Sequence, residues 1–302
     1  MKINLPTPGT AAGEVIRRAS RGESFTLFTL NLDHVVKLKS STAFRAIYQR
    51  AQLVTADGWP VVWLAKRQGA TSERTTGADM VEPLCAAAAA QGLGVYFVGP
   101  GPEAQAGALN VLRRRYKGLR IAGAETPRVP ASDGADPLAK FDIDALARRI
   151  NASDARLCFV SLGAPKQEFV ADALAARCPH VGFLCVGAAL DFISGDVARA
   201  PVWMQRTGLE WFWRMANNPG RFGARYAYCA AIFFNMAMAA VLKPRPQKRA
   251  PAPGLGRRAS DVGGPRRPAG ARPTFGEARA STGAYQGPAT STAPSRPLAS
   301  IN

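Results

Sequence analysis

Histidine and paired cysteine, the residues that most often build zinc sites, are scarce in this 302-residue chain. It has two histidines, His34 and His180, and its five cysteines, at positions 85, 158, 178, 185 and 229, form no C-x-x-C pair. This supply excludes the usual zinc-site spacings, and we expect no metal ligand and no cofactor. Three of the cysteines lie in apolar runs, which is typical of buried thiols in a reducing compartment.

An apolar leader is also lacking, because the opening residues MKINLPTPGTAAGEVIRRAS contain no apolar stretch of signal-peptide length. We therefore expect a cytoplasmic protein. Apolar residues make up 47% of the chain, enough for the core of one large or two modest domains.

Acidic residues are few, since 21 Asp and Glu stand against 39 Lys and Arg and give a net charge of +18. About half of this excess lies in residues 243–302, which hold eleven Lys or Arg, two acidic residues and ten of the 23 prolines. With almost no large apolar side chains, this stretch is predicted to be a disordered tail. It could tether the protein to anionic lipid, or it could be a solubilising extension without a partner. A third class of protein would bind nucleic acid through this tail.

Short apolar runs alternate with helical patterns between residues 24 and 190. The strand-like runs are 24–31, 52–56, 94–99, 120–124, 156–163 and 181–187, and the helical patterns between them include 80–91, 103–116, 142–150 and 166–177. This alternation predicts an α/β fold, a Rossmann-like and mostly parallel sheet with helices on both faces.

Ligands of parallel sheets bind beyond the carboxyl ends of the strands, so the residues there are the candidates for a site. The strand ends carry five polar groups: Thr29 and Asn31, Asp57, Gly99–Gly101, Gly163–Glu168, and Gly187–Asp191. We expect all five to converge on one crevice. Asp57 precedes Gly58, which allows a tight turn, and Pro60, which favours a first helical turn, so Asp57 is a candidate general base.

Three loops could bind phosphate, each with a simpler alternative. Residues 99–104 match the G-x-G-x-x-G/A dinucleotide fingerprint, and Glu125 follows the next strand, which supports an NAD(P)-dependent oxidoreductase as the alternative function. Pro100 and Pro102 weaken that match, because each removes a backbone N–H donor, and the simpler alternative is a proline-glycine turn that starts a helix. Residues 163–168 offer Lys166 and Gln167 to an anion, or form an ordinary helix start.

The third loop, residues 74–79, brings a cation, two hydroxyl groups and a capping turn together. It could hold a diphosphate or a sugar through Arg74, Gly77 and Asp79, although an isolated arginine is more often a surface residue.

The pattern changes after residue 195. Residues 201–215 carry Trp203, Trp211, Phe212 and Trp213 in a helical pattern, and residues 219–221 are predicted to break the helix before Arg225 begins another. Residues 226–242 form a 17-residue apolar stretch, near the lower limit for a membrane span. A helix lying in the membrane interface fits this stretch best, with a buried core helix as the alternative.

Six segments together closely resemble the WecG/TagA/CpsF glycosyltransferase family, glycosyltransferase family 26. They are TLNLDHV (29–35), TADGWPVVW (55–63), ERTTGADM (73–80), SLGAPKQE (161–168), VGAALDFISGDVARAP (186–201) and GLEWFWRMANNPGRFGARY (208–226). The resemblance implies an inverting, metal-independent enzyme that moves a sugar from a UDP-sugar to an undecaprenyl-diphosphate-linked acceptor at the cytoplasmic membrane face. It also implies N-acetylmannosamine, its uronic acid or glucose as the sugar. Trp59 and Pro60 depart from the small residues expected at the pocket rim.

By this resemblance, Asp57 is the base, and a second set of residues lines the donor pocket: Thr29, Asn31, Gln167 and Asp191. Arg214, Arg221 and Arg225 match arginines that complete the site at the membrane. The remaining candidates for substrate binding come from the loops: Arg74, Gly77, Asp79, Gly99, Gly163, Lys166 and Glu168. The partners expected are the UDP-sugar, the lipid-linked acceptor and an anionic membrane surface, without nucleic acid; a homo-oligomer stays open. The chain divides into an extension (1–22), the α/β core (23–195), a helical appendage (196–242) and the tail (243–302).

Overall fold

A computed structural model describes residues 3–130 and 138–242, and these residues build a six-stranded sheet. Its strands are β1 (Phe25–Leu30), β2 (Leu53–Ala56), β3 (Gly94–Val98), β4 (Arg120–Glu125), β5 (Ala155–Val160) and β6 (Gly182–Cys185). They lie in the order β2-β1-β6-β5-β3-β4, and every pairing is parallel. The predicted fold class and all six predicted strands are confirmed. The predicted disordered tail lies outside the described residues.

The strands read as continuous apolar runs because helices cover both faces of the sheet. In β1, Phe25 and Leu27 point into one core cluster and Phe28 and Leu30 into the other. All six residues of this strand are buried, whereas the edge strand β4 is partly exposed. Alternate side chains of one strand therefore tie both helical layers to the same sheet.

Twelve helices surround the sheet within the described ranges. They are α1 (Pro8–Ser20), α2 (Leu32–Ser40), α3 (Thr42–Arg50), α4 (Trp59–Arg67), α5 (Gly77–Gln91), α6 (Pro102–Arg115), α7 (Ile143–Ala152), α8 (Lys166–Ala175), α9 (Ala189–Ser194), α10 (Val202–Thr207), α11 (Glu210–Asn217) and α12 (Pro219–Leu242). Helices α3, α4, α7 and α8 contribute buried residues to one core cluster, and α1, α5, α6 and α9 contribute to the other. The helices predicted at 80–91, 103–116, 142–150 and 166–177 correspond to α5, α6, α7 and α8.

The residues expected to form an N-terminal extension pack on the sheet. Ala11, Val15 and Ala19 of α1 are fully buried in the second core cluster. Just before α1, the side chain of Asn4 accepts a hydrogen bond from the backbone N–H of Val54 in β2 (2.8 Å). Residues 3–22 are thus part of the packed α/β layers, because α1 buries an apolar face in the core.

The appendage differs from the sequence prediction in two places. The helix expected over 201–215 is two helices, α10 and α11, because Gly208 adopts a left-handed conformation (φ 79°) that ends α10. The break expected at 219–221 lies one residue earlier, at Asn218, and α12 begins at Pro219 instead of Arg225 and runs for 24 residues. Proline is compatible with the first helical position, where its missing N–H has no helical partner to lose.

Helix α12 lies along the core. The ring of Phe233 packs against Trp59 and Trp63 of α4, with centroid distances of 5.6 and 5.8 Å. Near the C-terminal end of α12, the carbonyl of Ala240 accepts a hydrogen bond from the Arg67 side chain of α4 (2.9 Å). Between residues 3 and 242, outside the gap at 131–137, the stretch Gly223–Leu242 is the one helix long and apolar enough to cross a membrane, with a mean hydropathy of 1.4. Because 6% of that window is buried, the alternative of a buried core helix is wrong.

Candidate active site

A cavity of about 1190 Å³ lies beyond the carboxyl ends of the strands. All five polar groups predicted from the strand ends contribute to its wall: Thr29 and Asn31, Asp57, Pro100, Gly163–Gln167, and Gly187, Ala188 and Asp191. The predicted convergence on one crevice is therefore confirmed, and it follows from the parallel sheet, in which all carboxyl ends share one edge.

Asp57 is positioned by the end of β2 and the start of α4. Its backbone N–H donates to the carbonyl of Leu30 (2.8 Å), which continues the ladder between β1 and β2. Gly58 then takes a positive φ of 87°, and α4 begins at the next residue. Burial, followed by the charge of Glu210, raises the pKa of the Asp57 carboxyl to about 7, while Arg214 and Arg74 act in the opposite direction. A carboxylate tuned close to neutral pH is suited to general base catalysis.

Thr29, Asn31 and Gln167 also line the cavity, and local hydrogen bonds hold the side chains of Asn31 and Gln167. Thr29 is 5% exposed at the end of β1. The Asn31 side chain caps α2 by accepting from the His34 N–H (2.9 Å). Gln167 accepts from the backbone N–H of Gly187 (3.0 Å), so this amide joins two neighbouring strand ends.

Gly77, Gly163 and Lys166 form a further part of the cavity wall. A Cβ at Gly77 would lie 2.6 Å from the Cα of Val186, so glycine is required where α5 approaches the end of β6. Gly163 has a φ of 73° in the turn that leads into α8. Lys166, at the start of α8, donates to the carbonyl of Val129 (2.7 Å) and lines the cavity.

Glu168 lies beneath the cavity and not in its wall, contrary to its expected contact with substrate. It is fully buried, accepts from the Gln167 side chain (2.7 Å) and lies 3.7 Å from the His34 ring. Burial raises the pKa of Glu168 to about 7 and lowers that of His34 to about 4. Successive helical residues point about 100° apart, so Gln167 faces the cavity while Glu168 faces the core.

Gly99 and Asp79 also lie outside the cavity wall. A Cβ at Gly99 would meet the carbonyl oxygen of Ser161 at 2.5 Å, so this glycine serves close packing between loops. Asp79 forms ion pairs with Arg199 (2.7 Å) and Arg74 (3.2 Å). Its carboxylate therefore holds arginines, and Arg74 itself lines the cavity.

Helices α11 and α12 close the cavity opposite the sheet. Arg214, Arg225 and Tyr226 line it, together with Trp59, whose side chain is 51% exposed. Arg225 lies 4.0 Å from Asp33 of α2. The side chain of Arg221, the third arginine of this predicted set, lies outside the described part of the chain.

Sequence reasoning missed Glu210 and Arg199. Glu210 lines the cavity between Arg74 (3.7 Å) and Arg214 (3.6 Å). Arg199 reaches the same carboxylate (3.7 Å) as well as Asp79. The spacing of Glu210 and Arg214 on one helix face was readable from the sequence, but the contacts with Arg74 and Arg199 arise only when the appendage folds back on the core.

The dinucleotide fingerprint does not shape the cavity. Of residues 99–104, Pro100 alone lines it. The Gln105 side-chain amide donates hydrogen bonds to the backbone carbonyls of Gly99 and Glu125 (both 2.9 Å). The Glu125 carboxylate forms an ion pair with Arg149 (2.6 Å). Nothing in this arrangement favours the alternative of an NAD(P)-dependent oxidoreductase.

One pair of carboxylates, Asp142 and Asp144, has the D-x-D spacing that could hold a divalent cation, but it lies away from the cavity wall. Asp142 caps α7 by accepting from the Ala145 N–H (2.8 Å), and Asp144 pairs with Arg177 (2.5 Å). In the described parts of the chain, no group of three or more His, Cys, Asp or Glu side chains could hold a metal ion.

The comparison with known families agrees with this architecture. A profile described as "Glycosyl transferase WecG/TagA/CpsF family" matches residues 1–247. The match includes α1 and the whole appendage, so it extends beyond the segments 29–226 that carry the resemblance in the sequence. The chain belongs to the WecG/TagA/CpsF family and is a glycosyltransferase of polysaccharide biosynthesis.

Proposed function

We propose that this enzyme transfers a sugar from a UDP-sugar to a polyprenyl-diphosphate-linked saccharide, with inversion and without a metal. The observation that carries the proposal is Asp57, a carboxylate with a pKa raised to about 7, in the same cavity as Arg74 and Arg214. Inversion in a single displacement requires one base and a site for a negatively charged leaving group. This cavity offers both.

In the proposed reaction, the acceptor hydroxyl attacks the anomeric carbon of the donor sugar while Asp57 takes up the hydroxyl proton. A new glycosidic bond forms, the bond from the anomeric carbon to the diphosphate oxygen breaks, and UDP leaves with the bonding electron pair. Because Asp57 must be ionised to accept the proton, the rate is expected to rise with pH up to about 7, its pKa in the folded enzyme.

The leaving diphosphate gains negative charge, which the enzyme must stabilise. Arg74, Arg214 and Arg225 bring positive charge to the cavity, and Lys166 stands at the start of α8, where helical N–H groups favour an anion. We assign diphosphate binding to these residues and include Arg221 by the family resemblance. Four other cavity residues would hold the sugar and nucleoside: Thr29, Asn31, Gln167 and Asp191.

We further propose that the enzyme is peripheral on the inner face of the cell membrane. Helix α12 contacts the core through Phe233 and Arg67 and leaves Tyr228, Phe234 and Met238 exposed. A helix held along one side in this way is suited to lying in the membrane interface, with the basic tail at 243–302 adding attraction to anionic lipid. In this proposal residues 23–195 form the catalytic core and 196–242 the membrane-associating appendage, and nucleic acid has no role.

The direct test is a transfer assay with purified protein. UDP-N-acetylmannosamine, its uronic acid and UDP-glucose are each supplied with a short polyprenyl-diphosphate-linked saccharide, with and without a metal chelator, and UDP release is followed. We expect one donor to be consumed at the same rate in both conditions, with an inverted anomeric centre in the product. Loss of all activity with chelator would contradict metal independence, and no UDP release from any pair would overturn the proposed reaction.

A further inference from the structure

Five charged side chains meet where the appendage folds onto the core. They are Arg74 and Asp79 from the segment around the start of α5, Arg199 from the loop before α10, and Glu210 and Arg214 from α11. Arg74, Glu210 and Arg214 line the cavity, whereas Asp79 and Arg199 lie behind them. The only carboxylate on the cavity side of this cluster belongs to Glu210.

The two carboxylates hold the arginines with different strength. Asp79 lies within hydrogen-bond distance of Arg199 (2.7 Å) and Arg74 (3.2 Å). Glu210 lies 3.6 Å from Arg214 and 3.7 Å from both Arg74 and Arg199, beyond the usual hydrogen-bond range. Glu210 is therefore drawn to the arginines by charge without a direct hydrogen bond to any of them, while Asp79 anchors two of them.

The guanidinium groups have a second support. The Phe192 ring lies under Arg214 (5.1 Å from ring centroid to guanidinium carbon) and under Arg199 (5.7 Å). Asp79 and Phe192 can therefore keep the arginines in place when Glu210 is exchanged for another anion. A diphosphate carries more negative charge than one carboxylate, and its oxygens can accept paired hydrogen bonds from arginine.

We propose that Glu210 is an internal stand-in for the substrate diphosphate: its carboxylate occupies the space between Arg74 and Arg214, and the diphosphate displaces it on binding. This inference rests on the proposed function for its ligand, and it adds a competing group to that site. Glu210 is the first residue of α11, directly after the turn at Gly208 and Leu209, so its displacement would shift the start of that helix.

The test compares binding of UDP and of inorganic pyrophosphate to the wild-type chain and to Glu210→Gln by titration calorimetry. A stand-in competes with the ligand, so E210Q is expected to bind both about tenfold more tightly at low salt. If Glu210 only positions the arginines, the same change weakens binding, so the sign of the effect decides. Tighter binding of both ligands supports the proposal, and equal or weaker binding overturns it.

Glu82→Gln is the matched control, because it removes the same charge from a carboxylate paired with Arg115 (2.7 Å) outside the cavity wall. Its affinity for both ligands is expected to equal that of the wild type. Glu210→Asp keeps the charge and should remain within about threefold of wild type. Tightening in E82Q as large as in E210Q would overturn the proposal.

Asp79→Asn should weaken binding, because it removes the anchor of Arg74 and Arg199. Weaker binding in D79N combined with tighter binding in E210Q supports the stand-in. If the proposed function fails but the stand-in holds, the result is different. The wild type then binds pyrophosphate but not UDP, and E210Q binds pyrophosphate more tightly than the wild type does. Absence of pyrophosphate binding in wild type and E210Q alike would overturn the stand-in itself.

Discussion

In the proposed reaction, Asp57 has to be accessible to the substrate and at the same time sheltered from water. Burial raises its pKa from the ordinary 3.8 to about 7. Between these two pH values the folded chain binds a proton that the unfolded chain has already released, so stability falls as the pH rises through this window. The same shelter that suits Asp57 to the proposed role of base at neutral pH thus destabilises the folded enzyme at and above that pH.

We expect Asp57→Asn to lose most turnover and gain stability. Without its general base, the enzyme should turn over about 10²–10⁴-fold more slowly, while UDP affinity remains close to that of the wild type. The neutral amide carries no penalty for a buried charge, so the free energy of unfolding at pH 8 should rise by about 1–3 kcal/mol. Steady-state kinetics and urea unfolding at pH 8 measure the two effects.

The pH dependence of the stability difference between D57N and the wild type serves as a control. The stability difference between D57N and the wild type should shrink as the pH falls toward 4, because both folded chains are then neutral at residue 57. A difference that is constant from pH 4 to pH 8 would contradict the burial of a charge at this position. Full turnover in D57N would exclude Asp57 as the base.

Sequence reasoning located the residues at strand ends and failed for contacts across the fold. Asp57, Asn31 and Gln167 were found because a polar residue after a buried strand must stand at the ligand-binding edge of a parallel sheet. Glu168 was expected in the cavity wall but lies beneath it, because the sequence pattern indicates where α8 begins and not which way each of its side chains points. Glu210 was missed because its charge acquires meaning only beside Arg74, which is far away in the chain.

At the scale of single elements, α12 presents two apolar sides with different surroundings. Its inner side includes Cys229, which is buried, and Phe233, which packs on Trp59 and Trp63. Its outer side includes Phe234, which is 65% exposed, and Met238. The sequence predicted this apolar stretch by length and composition, but neither distinguishes the two sides, because apolar residues surround the whole helix.

Substitutions at two adjacent phenylalanines of α12 are expected to distinguish membrane binding from folding stability. Phe234→Glu should weaken binding to anionic liposomes by about tenfold or more with little change in melting temperature, because it places a charge on the exposed side that is proposed to face lipid. Phe233→Ala should lower the free energy of unfolding by about 1–3 kcal/mol, since it removes a partly buried ring from an aromatic contact. Liposome flotation and thermal unfolding of both variants measure the contrast. Equal effects of the two changes on liposome binding would contradict a helix lying on its side.

At the scale of the whole molecule, the class of fold was predictable and the order of strands was not. Six apolar runs buried on both faces are a local signal, and so are the helices between them. The order β2-β1-β6-β5-β3-β4 depends on pairings between distant segments, as β1 with β6 illustrates. The packing of α1 against the core has the same origin, because its buried face is defined only by its neighbours.

Residues 243–302 carry about half of the net positive charge of the chain, and we expect this charge to act at an anionic membrane surface. Removing this basic stretch should weaken binding to anionic vesicles by about tenfold or more at low salt, since each basic residue near such a surface contributes about 1 kcal/mol. Transfer to a soluble short-chain acceptor should be unchanged, because the described residues that line the cavity all precede position 243. Vesicle co-sedimentation at low and at 1 M salt measures the effect, and the difference should vanish at high salt, where the screening length is about 3 Å. Neutral vesicles serve as the control. Undiminished binding to anionic vesicles at low salt would assign membrane association to α12 and its neighbours alone, and the basic residues would then act only as a solubilising extension.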